Sequence, residues 1–403
     1  MNEKLAVEGG TKIFADGFNF APWPPVREET GDKLRELYMS AQWSYYGKYE
    51  KQFAAEFAAY HDSQYGIFMA NGTTTLECAL SALGVGPGDE VIVPAWTWIA
   101  TCMSPVYLGA TPVFVDSDPD TFCMDPKAFE AAITPKTKVV IPVHLFGSMA
   151  NMDEICAIAK KHGIAIVEDC AHAHGGKWNG KGVGSFGDVG SFSFQQSKIM
   201  TAGEGGLCTT NNPELAEKIN RLKHIGNPGS QFNGNVPPPE GLLCHNYRAT
   251  EFQALILLDQ LHELEAMSKY RAENAAYLKK GLEAIPGLTV QKPGLKATMQ
   301  NYYVFGIKID HTILKPGKTK ADVIAAVVAE GAPEVFAGWG AAVYNHRLWN
   351  IPKSAYRIES SKIAEGIIAN QICLMGIQWL MSDKATIDKL IAAFSKVMKA
   401  YSK

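Results

Sequence analysis

The chain has 403 residues, 47% hydrophobic and 20% charged, enough to bury a large core and to divide into two or three domains. Its formal net charge of -3, with lysines and arginines scattered among carboxylates, lacks the electrostatic footprint of a partner for nucleic acid or an anionic membrane. Small polar or anionic metabolites remain as ligands.

The opening "MNEKLAVEGGTKIF" carries charges where a signal peptide needs an apolar core, and the most apolar late stretch, 366–381, is broken by Asn370, Gln371 and Gln378. Both features favour a cytoplasmic location. Eight cysteines, at 78, 102, 123, 156, 170, 208, 244 and 373, stand singly with no CxxC pair, which fits buried reduced thiols better than a disulfide framework or a zinc site.

From about residue 50 to 260 helical patterns alternate with short apolar runs, the signature of a mainly parallel sheet wrapped by helices. "NGTTTLECALSALG" places Gly72, Thr73 and Thr74 at a helix start with Leu76, Leu80 and Leu83 on one face. Free N–H groups there favour a phosphate, although a plain N-cap explains the same residues. "VIVPA" then reads as a strand, and the following "WTWIATC" offers Trp96 and Trp98 for stacking on a planar ring or for core packing.

"KVVIPVH" reads as a strand, "NMDEICAIAKKHG" as a helix stopped at Gly163, and "IAIVED" as the next strand. Asp169 thus ends a strand, where open α/β sheets bind ligands. Its neighbour Glu168 faces the other way and reads as a structural hydrogen-bonding group. Asp169, His172 and His174 also have metal-ligand chemistry, but no further His or Cys cluster completes a site, so no metal is expected.

"DVGSFSF" alternates like a strand and delivers Ser193 and then Lys198 through a glycine-bearing loop at 203–206. Lys198 follows Asp169 by about thirty positions, the spacing of an enzyme that holds pyridoxal 5′-phosphate (PLP) as a Schiff base. The lysine condenses with the PLP aldehyde, and the carboxylate keeps the pyridine nitrogen protonated. Ser193 is near enough to share the phosphate. A polar, proline-rich insert at 226–241 precedes a long amphipathic helical region at 246–285, which reads as the bridge to a second domain. Beyond about 290, strand-like "QNYYVFGIKI" and helical "KADVIAAVVAEG" and "ATIDKLIAAFSKVMKAY" suggest a smaller α+β domain.

The segments "NGTTTLECALSALGVGPGDEVIVPAWTWIAT", "IPVHLFGSMANMDEI", "VEDCAHAHGG", "SFSFQQSKIMTAGEGG" and "NYRATEFQALILLDQL" resemble the sugar aminotransferase family called DegT/DnrJ/EryC1/StrS. The resemblance is nearest to glutamine-dependent enzymes acting on scyllo-inosose and 2-deoxy-scyllo-inosose, with 3-amino-5-hydroxybenzoate synthases also near. It implies a PLP-dependent transferase fold of type I: an N-terminal segment (1–50) near the active site, a large domain (51–265) with a mainly parallel seven-stranded sheet, and a small C-terminal domain (266–403). It further implies that Lys198 carries PLP and Asp169 pairs with the pyridinium nitrogen. Gly72, Thr73, Thr74 and Ser193 would hold the phosphate, Trp98 would stack on the ring, and Asn246 would reach the phosphate from the neighbouring subunit of a homodimer with shared active sites. His172 stands where many relatives have glutamine and is expected beside the cofactor ring or its phenolic oxygen.

The implied activity is ping-pong transfer of an amino group from L-glutamine, or L-glutamate, to a ketosugar or ketocyclitol. The segment "GWGAAVYNHRLWNIPK" departs from the cyclitol enzymes' pattern and leaves the acceptor open. Two rivals stand beside this reading. One is a dehydrating or aromatising PLP enzyme of the 3-amino-5-hydroxybenzoate synthase kind, and the other is a non-catalytic PLP or amino-sugar binding protein.

Overall fold

A computed structural model describes residues 4–15, 18–45, 47–228 and 240–403. Most of the proline-rich insert, 229–239, lies outside the described residues.

The main sheet orders its strands Tyr65–Met69, Gly206–Thr210, Val189–Ser193, Ala165–Asp169, Thr137–Val140, Glu90–Pro94, Thr111–Val115 and Arg357–Ile358. All neighbours from Val189–Ser193 to the Arg357–Ile358 edge are parallel, whereas Gly206–Thr210 is antiparallel to both strands beside it. Seven strands come from residues 65–210, as the sequence reading expects. The eighth, two residues long, arrives from far down the chain and extends the edge.

Helices cover the sheet, so its central strands are apolar throughout rather than alternating. Val91, Ile92, Val93, Val139, Val140 and Val167 are all fully buried. Because Glu90–Pro94, Ala165–Asp169 and Val189–Ser193 run the same way, their carboxyl ends open on one edge. Asp169 and Ser193 are the last residues of two of them.

A second, antiparallel sheet has the order Leu288–Val290, Val304–Ile309, Gln371–Met375, Val335–Phe336. Its core joins Ile307, Val323, Leu374, Trp379 and Phe394. The N-terminal segment divides its contacts. Leu5 and Phe14 are buried in this smaller core, while Trp23 donates its indole N–H to the Lys198 carbonyl at 3.2 Å.

One helix, Glu251–Glu283, serves both cores. It starts at a capping box in which Thr250 and Gln253 satisfy each other's backbone N–H groups, a device contributing about 1 kcal/mol. Leu257 and Leu264 belong to the larger core, and Ala275 and Leu282 to the smaller. The division expected at 265 therefore falls inside a continuous rod. Farther on, Ala342, Val343 and Trp349 return to the larger core.

Candidate active site

The carboxyl edge of the main sheet holds a cavity of about 710 Å³. Asp169, Lys198, Gly72, Thr73, Thr74, Trp98, His172 and Ser193 all line it, so eight of the nine residues singled out from the sequence come together.

Asp169 sits at the cavity floor and is 5% exposed. Burial pushes its carboxyl above the usual carboxylate range, opposed by the Thr101 hydroxyl and the Ala171 N–H. Thr101 donates to Oδ2 at 2.8 Å and Ala171 N–H to Oδ1 at 3.1 Å. A cation meeting this carboxylate would favour its charged form further.

In the same cavity the helix Gly72–Ala82 presents its N-terminus. Asn71 caps it by accepting the Thr74 N–H at 2.9 Å, and the Thr74 hydroxyl donates to the Asn71 carbonyl at 2.8 Å. The first-turn N–H groups of Gly72 and Thr73 lack intrahelical partners by geometry, leaving them, with the Thr73 hydroxyl, as donors for an anion. Ser193 joins them because Gly72 has no side chain. A Cβ there would lie 2.6 Å from Ser193 Cβ, so only glycine lets the strand end and helix start meet.

Lys198 is half-buried, and its Nζ lies over the Tyr303 ring, 4.4 Å from the centroid. His172 is buried and stacks on the other side of this aromatic cluster, 4.4 Å from Tyr303 and 5.6 Å from Trp339. Burial holds its imidazole well below the ordinary histidine range. The Phe146 N–H points at His172 Nδ1 over 3.3 Å, so a neutral ring carries its proton on Nε2. Trp98 caps the helix Ile99–Tyr107, is 43% exposed, and lies 6.0 Å from Trp339.

Asn246 behaves differently. It is exposed, pairs through its backbone with His224, and does not line the cavity of its own chain.

Among the lining residues that escaped the sequence reading are Thr101, Tyr303 and Trp339. Thr101 had a findable signal, a hydroxyl in the first turn of the helix after a strand end. Tyr303 and Trp339 come from the C-terminal third of the chain, and no local pattern ties them to this edge.

Among the described residues, one group has metal-like spacing: His144, Glu168 and Cys170, whose ligand atoms lie within 4.8 Å of one another. It is a packing knot. Glu168 accepts N–H groups from Gly184, Phe186 and Gly187 and the His144 Nε2 proton, all within 3.1 Å, while His144 Nδ1 accepts from Ala150 N–H. Burial opposes ionisation of Glu168, but His144 and the backbone donors prevail and hold it below its ordinary value. The knot fixes the strand that ends in Asp169.

Comparison with known proteins gives a consistent picture. The profile described as the DegT/DnrJ/EryC1/StrS aminotransferase family matches residues 24–377. An L-glutamine:2-deoxy-scyllo-inosose aminotransferase of Streptomyces kanamyceticus is 38% identical, covering 82% of this chain and 79% of its own length. One of the same description from Micromonospora echinospora is 34% identical over 98% of this chain and 97% of its own. Among solved structures, an aminotransferase from Psychrobacter cryohalolentis superposes with a TM-score of 0.86 at 32% identity, covering 95% of this chain and all of the other. A 3-amino-5-hydroxybenzoic acid synthase superposes with a TM-score of 0.84 at 31% identity, covering 95% and 99%.

Proposed function

The chain belongs to the DegT/DnrJ/EryC1/StrS aminotransferase family, and from that premise we propose that it moves an amino group from L-glutamine, or L-glutamate, to a ketosugar or ketocyclitol with PLP as cofactor. The observation that carries this is the meeting of Lys198, Asp169 and the Gly72–Ala82 helix start in one cavity. Relatives named for 2-deoxy-scyllo-inosose favour a cyclitol acceptor and glutamine as donor.

The residues fit the cofactor by their chemistry. The donors left at Gly72 and Thr73, with Ser193, suit a phosphate. Asp169 is a buried carboxylate that accepts from a hydroxyl and an N–H, which suits a protonated ring nitrogen. Lys198 supplies the amine for covalent attachment. His172 and Trp98 would flank the ring, with the His172 Nε2 proton available as a donor.

Bound there, PLP would supply an aldehyde to receive the amino group and a ring to withdraw electrons from the carbon that bore it. The chain's own part is proton management and orientation. Among the described residues Lys198 Nζ is the one amine lining the cavity, so it takes the proton from the donor's α-carbon and later returns one to the acceptor carbon. Such a positioned base contributes about 10²–10⁴-fold. Asp169 holds a negative charge in the same cavity, and Trp98 and Trp339 shield the reacting groups from water.

Asn246 would complete the site from a partner chain of a homodimer. Its exposure and its position outside its own cavity support that reading.

The test is direct. Borohydride reduction should fix PLP to a peptide containing Lys198, and incubation with glutamine should convert a ketosugar or inosose from a test panel to its amine. Label on another lysine overturns the anchor. Conversion of a ketone with no amino donor consumed overturns the transfer and favours the dehydrating alternative.

A further inference from the structure

Tyr303 belongs to no element of the main sheet, yet it touches the two most chemically active side chains beside the Asp169 floor. Its ring lies under Lys198 Nζ, 4.4 Å from the centroid, and stacks on His172 at 4.4 Å and 22°. The hydroxyl is held as firmly. Ser197 donates both its N–H and its hydroxyl to Gln195 Oε1, at 2.9 and 2.7 Å. The Ser197 hydroxyl proton is thereby spent, so the 2.9 Å contact between Ser197 Oγ and Tyr303 OH is filled by the tyrosine's proton. Gln195, Ser197 and Tyr303 form a one-way chain that fixes the ring from its outer end.

The backbone is arranged to bring it there. Tyr302 has φ of 53°, a left-handed conformation that sterics disfavour for a bulky residue. Two glycines close on this kink. A Cβ at Gly147 would lie 2.9 Å from Tyr302 N, and one at Gly376 would collide with the Tyr302 carbonyl oxygen. Strain and close packing in the same place, just before the strand Val304–Ile309, turn Tyr303 out of its own sheet and into the cavity.

The charge on Lys198 has a nearer natural partner in chemical terms. Asp169 lines the same cavity and feels the Lys198 charge, yet among the described residues the amine makes no ion pair with it and rests on the tyrosine face instead. We infer that Tyr303 is a positioning residue for Lys198: its ring receives the lysine amine whenever that amine is not covalently engaged, and so keeps it off Asp169. A lysine that must leave and regain its covalent link in each half of the reaction needs such a resting place. Collapse onto Asp169 would neutralise the carboxylate needed elsewhere. This consequence rests on the proposed role of Lys198, but the contact itself can be read in the protein stripped of cofactor.

The experiment is cyanate modification of the full-length, cofactor-free chain, followed lysine by lysine with peptide mass spectrometry. An aromatic face attracts the ammonium form and covers one side of it. Tyr303→Leu should therefore carbamoylate at Lys198 about two- to fivefold faster than wild type. Tyr303→Phe keeps the ring between Lys198 and His172 and should keep the wild-type rate. Exposed Lys33 and Lys280 serve as internal standards for the reagent, and unchanged protection of buried Lys223 and Lys396 shows that the fold is retained. Should the leucine variant not fold, Tyr303→Met refills the volume without an aromatic face and carries the same expectation. An unchanged Lys198 rate in the non-aromatic variant, or an equal rise in Tyr303→Phe, overturns the inference. Because no amino transfer is measured, failure here is distinct from failure of the proposed reaction.

Discussion

Thr101 and Asp169 lie 68 positions apart on a helix and a strand, and the Thr101 hydroxyl donates to Asp169 Oδ2 across 2.8 Å. A hydrogen bond to a charged group is worth about 1.5–3 kcal/mol, and its loss leaves a buried oxygen without that donor. Thr101→Val conserves shape while removing the donor. We expect kcat to fall by about tenfold or more, with weaker cofactor retention on dialysis. Wild-type kcat in this variant would show that the hydroxyl does not support the carboxylate.

Asp169→Asn keeps the volume but removes the charge. Removing one partner of a buried ion pair costs about 3–5 kcal/mol, so single-turnover amino transfer should slow by at least about 100-fold. Cofactor should still bind, since the phosphate donors at Gly72, Thr73 and Ser193 are separate from Asp169 and its partners. Retained turnover would remove Asp169 from the ring-nitrogen role.

Asn246 offers a test of assembly. Lys198→Ala and an Asn246→Ala protein should each be inactive or nearly so. If Asn246 serves the neighbouring chain, mixed dimers contain one site with both residues intact, and subunit exchange should restore part of the activity. Isologous dimers are the commonest assembly. No recovery on demonstrated exchange, or a monomer in sedimentation at assay concentration, contradicts the shared site.

His61 carries a pH dependence. Burial lowers its folded-state pKa to about 4 from the ordinary 6.5, and Asp62, Lys177 and Glu168 act on it with smaller, mixed effects. Its Nδ1 donates to the Phe57 carbonyl and its Nε2 accepts the Gly175 N–H, an arrangement that requires the neutral ring. Between pH 4 and 6.5 the unfolded chain binds a proton that the folded chain refuses, so stability rises with pH across that window and levels off above it. Relative to His61→Gln, wild-type unfolding free energy should therefore climb by about 1.4 kcal/mol per pH unit within the window. Denaturant titrations at several pH values measure this. A constant difference between the two proteins would mean that His61 does not titrate as its burial requires.

Much of this architecture was legible because its determinants are local. Asp169 ends a continuous apolar run, Gly72–Thr74 open an amphipathic helix, and Lys198 follows a strand and precedes glycines, so periodicity alone put them at one sheet edge. The resemblance to sugar aminotransferases then supplied their roles. Tyr303 and Trp339 were not legible, since long-range pairing brings them in. The register that sets Val304 opposite Met375 and the left-handed turn at Tyr302 leave no mark in hydrophobic patterning. The amphipathic pattern at 246–285 marks a long helix leading into a second domain, and its two halves do serve different cores. Thr74 shows a smaller limit: composition marks it as a phosphate donor, while the fold commits its N–H and hydroxyl to Asn71.

The rod Glu251–Glu283 has a consequence for how the molecule comes apart. With Leu264 locked in one core and Ala275 in the other, neither core can open far without fraying the amides between them, so the two cores melt as one cooperative unit. In native-state hydrogen exchange, backbone amides near residue 270 should therefore be among the last to yield, released only by global opening.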